Sequence, residues 1–217
     1  MLRETLEFLE LTNRSFGGRG VVLGFLSRWL EGRNNRETPV RILDVGTGGA
    51  DIPRAIALWA RRRGLPVHIT ALELMPHIAD IARKNTREFP EVLVRQEDFL
   101  RLPPGETFDY VTASLFLHHM PDESLVPVLR AFDRLARRGV IVSDLLRSLP
   151  AYWSVKTLSR LAGNRVVRHD GPVSVRRAFT TAELQELAGQ AGLHYLKARR
   201  HPWFRLSLAG EKEGAAV

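Results

Sequence analysis

A turn rich in glycine and aspartate follows the first short apolar run of the chain, in the stretch ILDVGTGGADIP from Ile42 to Pro53. Glycine and aspartate favour tight turns, so a turn with no further role is one interpretation. The other is a backbone shaped to hold a cofactor at the end of a strand. Proteins that bind a nicotinamide dinucleotide carry G-x-G-x-x-G there, but Asp51 takes the third position and would set a carboxylate against a pyrophosphate. The residues therefore disfavour a dinucleotide.

Acidic side chains beside bare backbone suit a cofactor that has no phosphate and carries positive charge, as S-adenosylmethionine does in its sulfonium and α-ammonium groups. The chain resembles the class I S-adenosylmethionine-dependent methyltransferases, whose first motif is an acidic residue followed by G-x-G-x-G. It has Asp44, Gly46 and Gly48, with Ala50 in place of the last glycine. The resemblance covers about residues 40–145 and implies S-adenosylmethionine as the cofactor.

The resemblance also implies a cofactor site built from the ends of four strands. Glu73 would accept both ribose hydroxyls, although an ordinary charged strand end is the alternative. Asp98 would contact the adenine amine, and Phe99 would pack against one face of the adenine ring. Leu74 and Met75 would cover its other face. Ser114 and Leu115, after the fourth strand, would approach the methionine part of the cofactor. The predicted cofactor-binding residues are Asp44, Gly46, Thr47, Gly48, Asp51, Glu73, Leu74, Met75, Asp98, Phe99, Ser114 and Leu115.

The elements that position these residues alternate between β-rich and helical patterns, which predicts βαβ units. Strands are predicted at 40–45, 67–72, 92–96, 108–113 and 140–145, and a hairpin joined at His201-Pro202 closes the sheet. Helices are predicted at about 52–63, after Pro76, from a cap at Asp122 to about 138–139, and from a Thr180 and Glu183 capping box to 192. The predicted fold is α/β, a doubly wound, mostly parallel seven-stranded sheet with an antiparallel C-terminal hairpin and helical lid elements.

Three histidines are candidate catalytic bases. His118 and His119 come just after the fourth predicted strand, at the mouth of the site, where histidine suits general-base work near neutral pH. The alternative is that they pack against or cap the next helix. His169, beside Asp170, is the third candidate. We expect the side chains of His118 and His119 to point apart, and no metal site is predicted because the chain has no suitable ligand spacing.

Two segments outside the sheet are candidates for the acceptor pocket. The N-terminal segment contains LTNRSFGGRG (11–20), where Asn13, Arg14 and Phe16 would face the cofactor across a glycine-containing lid. The basic segment 147–178 contains Tyr152 and Trp153 beside cations, which suits a lipophilic, partly anionic acceptor or a loose contact with a membrane surface. A plain core stripe is the alternative for the aromatic pair.

The residues directly after the fourth strand narrow the acceptor class. The stretch SLFLHHM lacks the N-P-P-Y type of motif used on base amino groups, and the absence of cysteine excludes covalent pyrimidine chemistry. The segment 147–178 and the TTAEL after it resemble the C-terminal insert of bacterial small-molecule methyltransferases, some linked to polyketides. We expect methyl transfer to an aromatic or polyketide-like hydroxyl. The alternatives are an RNA methyltransferase, which the aromatic content disfavours, and a non-catalytic protein that binds S-adenosylmethionine.

Composition and charge bound the remaining expectations. The chain of 217 residues has a formal net charge of +8, and residues 147–177 hold seven Lys and Arg against one Asp. A cytoplasmic protein is expected, with a small-molecule acceptor and no nucleic-acid partner, while the oligomeric state stays open. One methyltransferase domain is expected over 1–217, divided into an N-terminal helical lid (1–38), a cofactor-binding core (39–146), a basic cap insert (147–179), a C-terminal helix and hairpin (180–210) and a tail (211–217).

Overall fold

The computed structural model describes residues 10, 13, 17–32, 37–161 and 173–214. Within them, seven strands form one sheet with the order β3-β2-β1-β4-β5-β7-β6. The strands are Val40–Val45 (β1), Val67–Glu73 (β2), Val92–Gln96 (β3), Phe108–Ser114 (β4), Ala136–Leu145 (β5), Lys197–His201 (β6) and Arg205–Glu211 (β7).

Strands β1 to β5 run parallel, and β7 lies antiparallel between β5 and β6. The predicted doubly wound, mostly parallel sheet with an antiparallel C-terminal hairpin is therefore confirmed. Because the five parallel strands share one carboxyl edge, the turns after β1, β2, β3 and β4 meet there. Arg205 pairs with Leu145 at the end of β5, so the hairpin turn lies at the same edge.

Helices cover both faces of the sheet. They are Gly18–Trp29 (α1), Asp51–Arg63 (α2), Pro76–Asn85 (α3), Asp122–Leu135 (α4), Leu149–Leu161 (α5) and Thr181–Gln190 (α6). Neighbouring residues of β1 point to opposite faces: Ile42 packs with the cluster under α1 and α2, and Leu43 packs with the cluster under α4 and α6. No helix in the described ranges has the length and apolar content that a bilayer span requires.

Most predicted boundaries agree with the structure, and α4 differs at both ends. Asp122 is the first helical residue rather than the cap, because Pro121 takes the cap position. The helix ends at Leu135 instead of 138–139, and β5 begins at once with Ala136. Arg137 and Arg138 pair with Asp109 on β4, which favours strand geometry at this point. The capping box of Thr180 and Glu183 is confirmed, although α6 ends at Gln190 rather than 192.

Candidate functional site

The turn after β1 adopts left-handed backbone conformations at alternate residues. Gly46, Gly48 and Ala50 have φ values of 66°, 54° and 60°. A Cβ atom added to Gly46 would lie 2.3 Å from Cδ2 of Phe116, so glycine is required there by contact as well as by conformation. Ala50 stands where the motif has glycine, and its left-handed conformation costs about 1–2 kcal/mol. A hydrogen bond from Thr47 N to Leu72 O ties the turn to β2.

Three carboxylates surround this turn, and all three are nearly inaccessible to solvent. Asp44 accepts a hydrogen bond of 2.7 Å from the Thr112 hydroxyl. Glu73 accepts hydrogen bonds from the backbone N–H groups of Gly48 and Met75, at 3.0 and 3.1 Å. Asp51 lies at the start of α2, 3.4 Å from Nε of Arg19. The predicted acids at the ends of β1 and β2 are thus brought together.

The electrostatics of this carboxylate group favour a cation. Burial and, to a smaller extent, the neighbouring charges of Asp51 and Glu73 raise the pKa of Asp44 to about 7, against the opposing hydrogen bond from Thr112. Burial also raises the pKa of Asp51, although Arg19 and Asn13 partly oppose that effect. A positively charged ligand would relieve this repulsion, whereas a pyrophosphate would increase it.

Residues after β2 and after β3 differ in whether their side chains are exposed to a ligand or buried in the core. Leu74 and Met75 are 62% and 46% exposed, so their side chains are accessible to a ligand. Asp98 caps the short 3-10 turn Phe99–Arg101 by accepting from Leu100 N. The ring of Phe99 is buried against Phe116 and Phe132, in the core. The Phe99 ring therefore packs against Phe116, and its predicted contact with the adenine ring stays a prediction.

The residues after β4 carry the clearest backbone strain. Leu115 has φ 54°, which is unfavourable for a leucine, and its N–H donates to Ser143 O at 2.8 Å. The Ser114 hydroxyl is buried and has no hydrogen-bond partner among the described residues. A buried hydroxyl without a partner is costly, so the predicted contact of Ser114 with the cofactor would satisfy this group.

The predicted cofactor residues fit S-adenosylmethionine. Burial and two neighbouring carboxylates leave Asp44 in need of a cation, the lack of a side chain at Gly46 leaves room for the Phe116 ring, and the Ser114 hydroxyl can bind a polar group. Asp44, Asp51 and Glu73 would hold the cationic and ribose parts, and Leu74 and Met75 would cover the base.

His118 forms a buried pair with Asp144, a residue that the sequence patterns did not reveal. Nδ1 of His118 lies 2.5 Å from Oδ1 of Asp144, and the same carboxylate accepts from the backbone N–H groups of His118 and Leu145. Burial alone would raise the pKa of Asp144, but the charge of His118 and these hydrogen bonds lower it below its ordinary value. The rings of His118 and His119 are 4.0 Å apart, so the expectation that they point apart is wrong.

Arg205 connects this pair to the N-terminal segment. It is 1% exposed, and its Nη2 donates to Asn13 Oδ1 at 3.0 Å. Nδ2 of Asn13 in turn donates to Asp51 at 3.4 Å. Asn13 thus lies between β7 and the cofactor turn, and its contact with an acceptor stays a prediction. Arg14, Phe16 and His169 lie outside the described residues.

A cleft of about 730 Å³ opens beside the two histidines. Its apolar lining comes from Met120, Leu125, Phe179 and Leu187, and its charged lining includes Arg147, Arg176, Arg177, Asp122, Glu183 and Glu186. Tyr152 and Trp153 do not line it. Trp153 is 59% exposed, and both rings lie beneath the Lys156 ammonium group. Among the described residues, no group of three or more His, Asp or Glu side chains is placed to hold a metal.

Comparisons with known proteins agree with this geometry. A family described as a methyltransferase domain matches residues 42–139. A demethylmenaquinone methyltransferase from Bacillus licheniformis is 31% identical over 117 residues, which are 54% of this chain and 48% of that protein. The chain therefore spans about half the length of this curated relative.

Two solved structures share the fold over nearly the whole chain. A S-adenosylmethionine-dependent methyltransferase from Aquifex aeolicus has a TM-score of 0.64 at 14% identity, covering 96% of this chain and 97% of that one. Magnesium protoporphyrin IX methyltransferase from Synechocystis PCC 6803, with bound SAH, has a TM-score of 0.61 at 16% identity, covering 91% and 84%. Residues 42–139 therefore match a methyltransferase domain, and the fold of the chain is that of the class I S-adenosylmethionine-dependent methyltransferases.

Proposed function

We propose that the chain transfers a methyl group from S-adenosylmethionine to a hydroxyl oxygen of a small, lipophilic, aromatic or polyketide-like acceptor. The observation that carries this proposal is the buried pair of His118 and Asp144 at the carboxyl edge of the sheet, where His118 also contributes to the lining of a cleft of about 730 Å³. A hydroxyl acceptor must lose a proton, and the pair supplies a base at that place.

The protonation of the pair follows from its hydrogen bonds. Because the pKa of Asp144 is lowered, its carboxylate is ionised and only accepts, so Nδ1 of His118 carries the proton. Nε2 is then the basic atom. Asp144 fixes this tautomer and stabilises the imidazolium that forms when His118 takes a proton. Asp144 is thus a positioning residue, and His118 is the base.

The chain's other residues orient the reactants. When bound, S-adenosylmethionine would supply an electrophilic methyl group. Asp44, Asp51 and Glu73 would hold the cofactor at the ends of β1 and β2, and the cleft would place the acceptor beside His118. Positioning of this kind supplies most of the rate in an in-line displacement.

The acceptor class is supported by the cleft lining and by the curated relative. Met120, Leu125, Phe179 and Leu187 give the cleft an apolar wall. The relative from Bacillus licheniformis is named for demethylmenaquinone, although the match covers only about half the length of that relative. We therefore favour a lipophilic acceptor that carries a ring.

The proposal is tested by incubating the protein and labelled S-adenosylmethionine with a panel of phenols, quinones and polyketide products. With the best acceptor, His118→Ala should lower kcat by about 10²–10⁴-fold and leave cofactor affinity unchanged. His119→Ala tests the second histidine in parallel. His194→Ala is the matched control, because His194 is exposed and lies outside the cleft.

Three outcomes would contradict the proposal. Full turnover in His118→Ala would remove the base assignment and leave positioning as the whole contribution. Methylation of bulk RNA with no turnover of any small molecule would make RNA the acceptor in place of a small molecule. Tight cofactor binding with no transfer to either class would indicate a non-catalytic protein.

A further inference from the structure

Three chain segments meet at the carboxyl edge of the sheet, outside the cofactor turn. Leu146 N donates to Phe204 O, and Arg147 N donates to Phe179 O, both at 2.8 Å. These bonds join the start of α5, the stretch before α6 and the turn of the β6–β7 hairpin. We call the outward side of these segments the edge surface, and define it as Arg147, Leu149, Trp153, Arg176, Arg177 and Trp203.

The edge surface exposes large apolar side chains from separate parts of the sequence. Leu149, Trp153 and Trp203 are 76%, 59% and 63% exposed. Exposed apolar residues that occur singly need no explanation, but Leu149 and Trp203 lie three residues and one residue from the hydrogen bond between Leu146 and Phe204, so two distant segments expose apolar side chains near the same point of the sheet edge. Trp203 and Phe204 have φ values of 60° and 57° and form the tight turn of the hairpin.

Positive charge accompanies these apolar side chains. The segment 147–177 holds most of the excess of basic residues in the chain. Lys156 lies 4.7 Å from the centre of the Trp153 ring, and Arg176 and Arg177 are exposed. Tryptophan beside arginine and lysine is the combination that binds the headgroup region of a bilayer, where the aromatic ring enters the interface and the cations meet anionic lipid.

We propose that the edge surface binds an anionic bilayer, with Leu149, Trp153 and Trp203 at the level of the headgroups. Arg147 is paired with Glu183, so the charge complementarity that favours this partner comes from Lys156, Arg176 and Arg177 beside the exposed apolar side chains. An RNA site would need these cations without the exposed leucine. Arg147, Arg176 and Arg177 also line the cleft, so binding would place the cleft opening against the lipid. This binding does not require the proposed methyl transfer, and the two can fail separately.

The experiment uses the full chain with vesicles of phosphatidylcholine alone and with added phosphatidylglycerol, measured by sedimentation. We expect binding to the anionic vesicles in about 50 mM salt, at least tenfold weaker binding to neutral vesicles, and loss of binding in about 500 mM salt. The emission of Trp153 and Trp203 should shift to shorter wavelength in the bound state.

A matched pair of leucine variants locates the contact. Leu149→Ser should weaken vesicle binding about tenfold, because an interfacial leucine is lost. Leu93→Ser should have no effect, since Leu93 is 62% exposed but lies in the middle of β3, outside the edge surface. Both changes are at exposed positions, and circular dichroism checks that the fold is kept.

Three results would overturn the proposal. One is the absence of binding to anionic vesicles at low salt. Another is an equal loss of binding in Leu149→Ser and Leu93→Ser, which would place the contact elsewhere. The third is binding to bulk RNA that outcompetes vesicles and is unchanged by Leu149→Ser, which would make the basic segment a nucleic-acid surface.

Discussion

Two buried aspartates at the carboxyl ends of β1 and β5 have opposite electrostatic surroundings. Asp44 has a hydroxyl donor and two neighbouring carboxylates, and burial raises its pKa to about 7. Asp144 is buried just as fully, but His118 and two backbone N–H groups lower its pKa. The charge of Arg205 also interacts with that of Asp144.

The difference is that the fold itself stabilises the charge of Asp144, whereas the charge of Asp44 is left for a ligand to stabilise. We call the second role the receptor assignment. Asp144 has hydrogen-bond donors from His118 and the backbone and the nearby charge of Arg205, all supplied by the fold, so its charge is stabilised before any ligand binds. The ionised form of Asp44 is disfavoured by burial first and by the charges of Asp51 and Glu73 second, so it needs a cation from outside the fold. The same residue type therefore serves a base at one strand end and a cation-binding site at the other.

The comparison predicts its largest effect at Asp144. Asp144→Asn removes the carboxylate that accepts from His118 Nδ1 and from two backbone N–H groups and that interacts with the buried charge of Arg205, and breaking this buried network should lower the free energy of unfolding by about 3–5 kcal/mol. The pKa of Asp144 is lowered in the folded protein, so its contribution is complete above an ordinary value of 3.8 and lost only in stronger acid. Urea unfolding at pH 8 measures the change.

Asp80→Asn serves as the control, because Asp80 forms only an exposed ion pair with Arg83 on α3. Its effect should stay within about 0.5 kcal/mol. If Asp144→Asn were as mild as this control, the carboxylate would not be satisfied internally and the contrast with Asp44 would be lost.

The second prediction concerns Asp44, where substitution by Asn should raise the free energy of unfolding instead of lowering it. Because its folded-state pKa is raised, the free energy of unfolding should fall as pH rises from about 4 to about 7 and stay low above that range. Asp44→Asn removes the penalty, so the ligand-free variant should be more stable than the wild type at pH 8, by up to about 4 kcal/mol.

The same substitution should weaken binding of S-adenosylmethionine by about 1–3 kcal/mol, since a charge-assisted contact is lost. If Asp44→Asn makes the protein more stable and weakens its binding of S-adenosylmethionine, Asp44 contributes to binding at a cost in stability. A destabilised Asp44→Asn protein that binds the cofactor normally would contradict the receptor assignment.

The sequence predicted the succession of strands along the chain and the residues of the cofactor turn, because both depend on local patterns. Glycine at 46 and 48 and acids at 44 and 73 are visible as spacings after apolar runs. The N-terminal end of β5 was missed, since a helix pattern continued into Arg137 and Arg138, and only their ion pairs with Asp109 favour a strand.

Residues that act across the fold could not be found in this way. Asp144 is 26 residues from His118, and Arg205 is 192 residues from Asn13, so neither pair has a spacing that a local motif would reveal. Phe116 was also missed, because its packing against Gly46 depends on the register of β1 and β4. Asp144 and Arg205 were each visible only as a polar residue in or beside an apolar strand.

The most direct test of the receptor assignment is a proton count on cofactor binding. At pH 6 Asp44 should be mostly protonated in the free protein and ionised beside the bound cation, so calorimetric titration of S-adenosylmethionine in buffers of different ionisation enthalpy should detect release of about one proton. Asp44→Asn should release none at the same pH. Binding of S-adenosylmethionine to the wild type at pH 6 with no proton released, or no binding at all, would contradict the account.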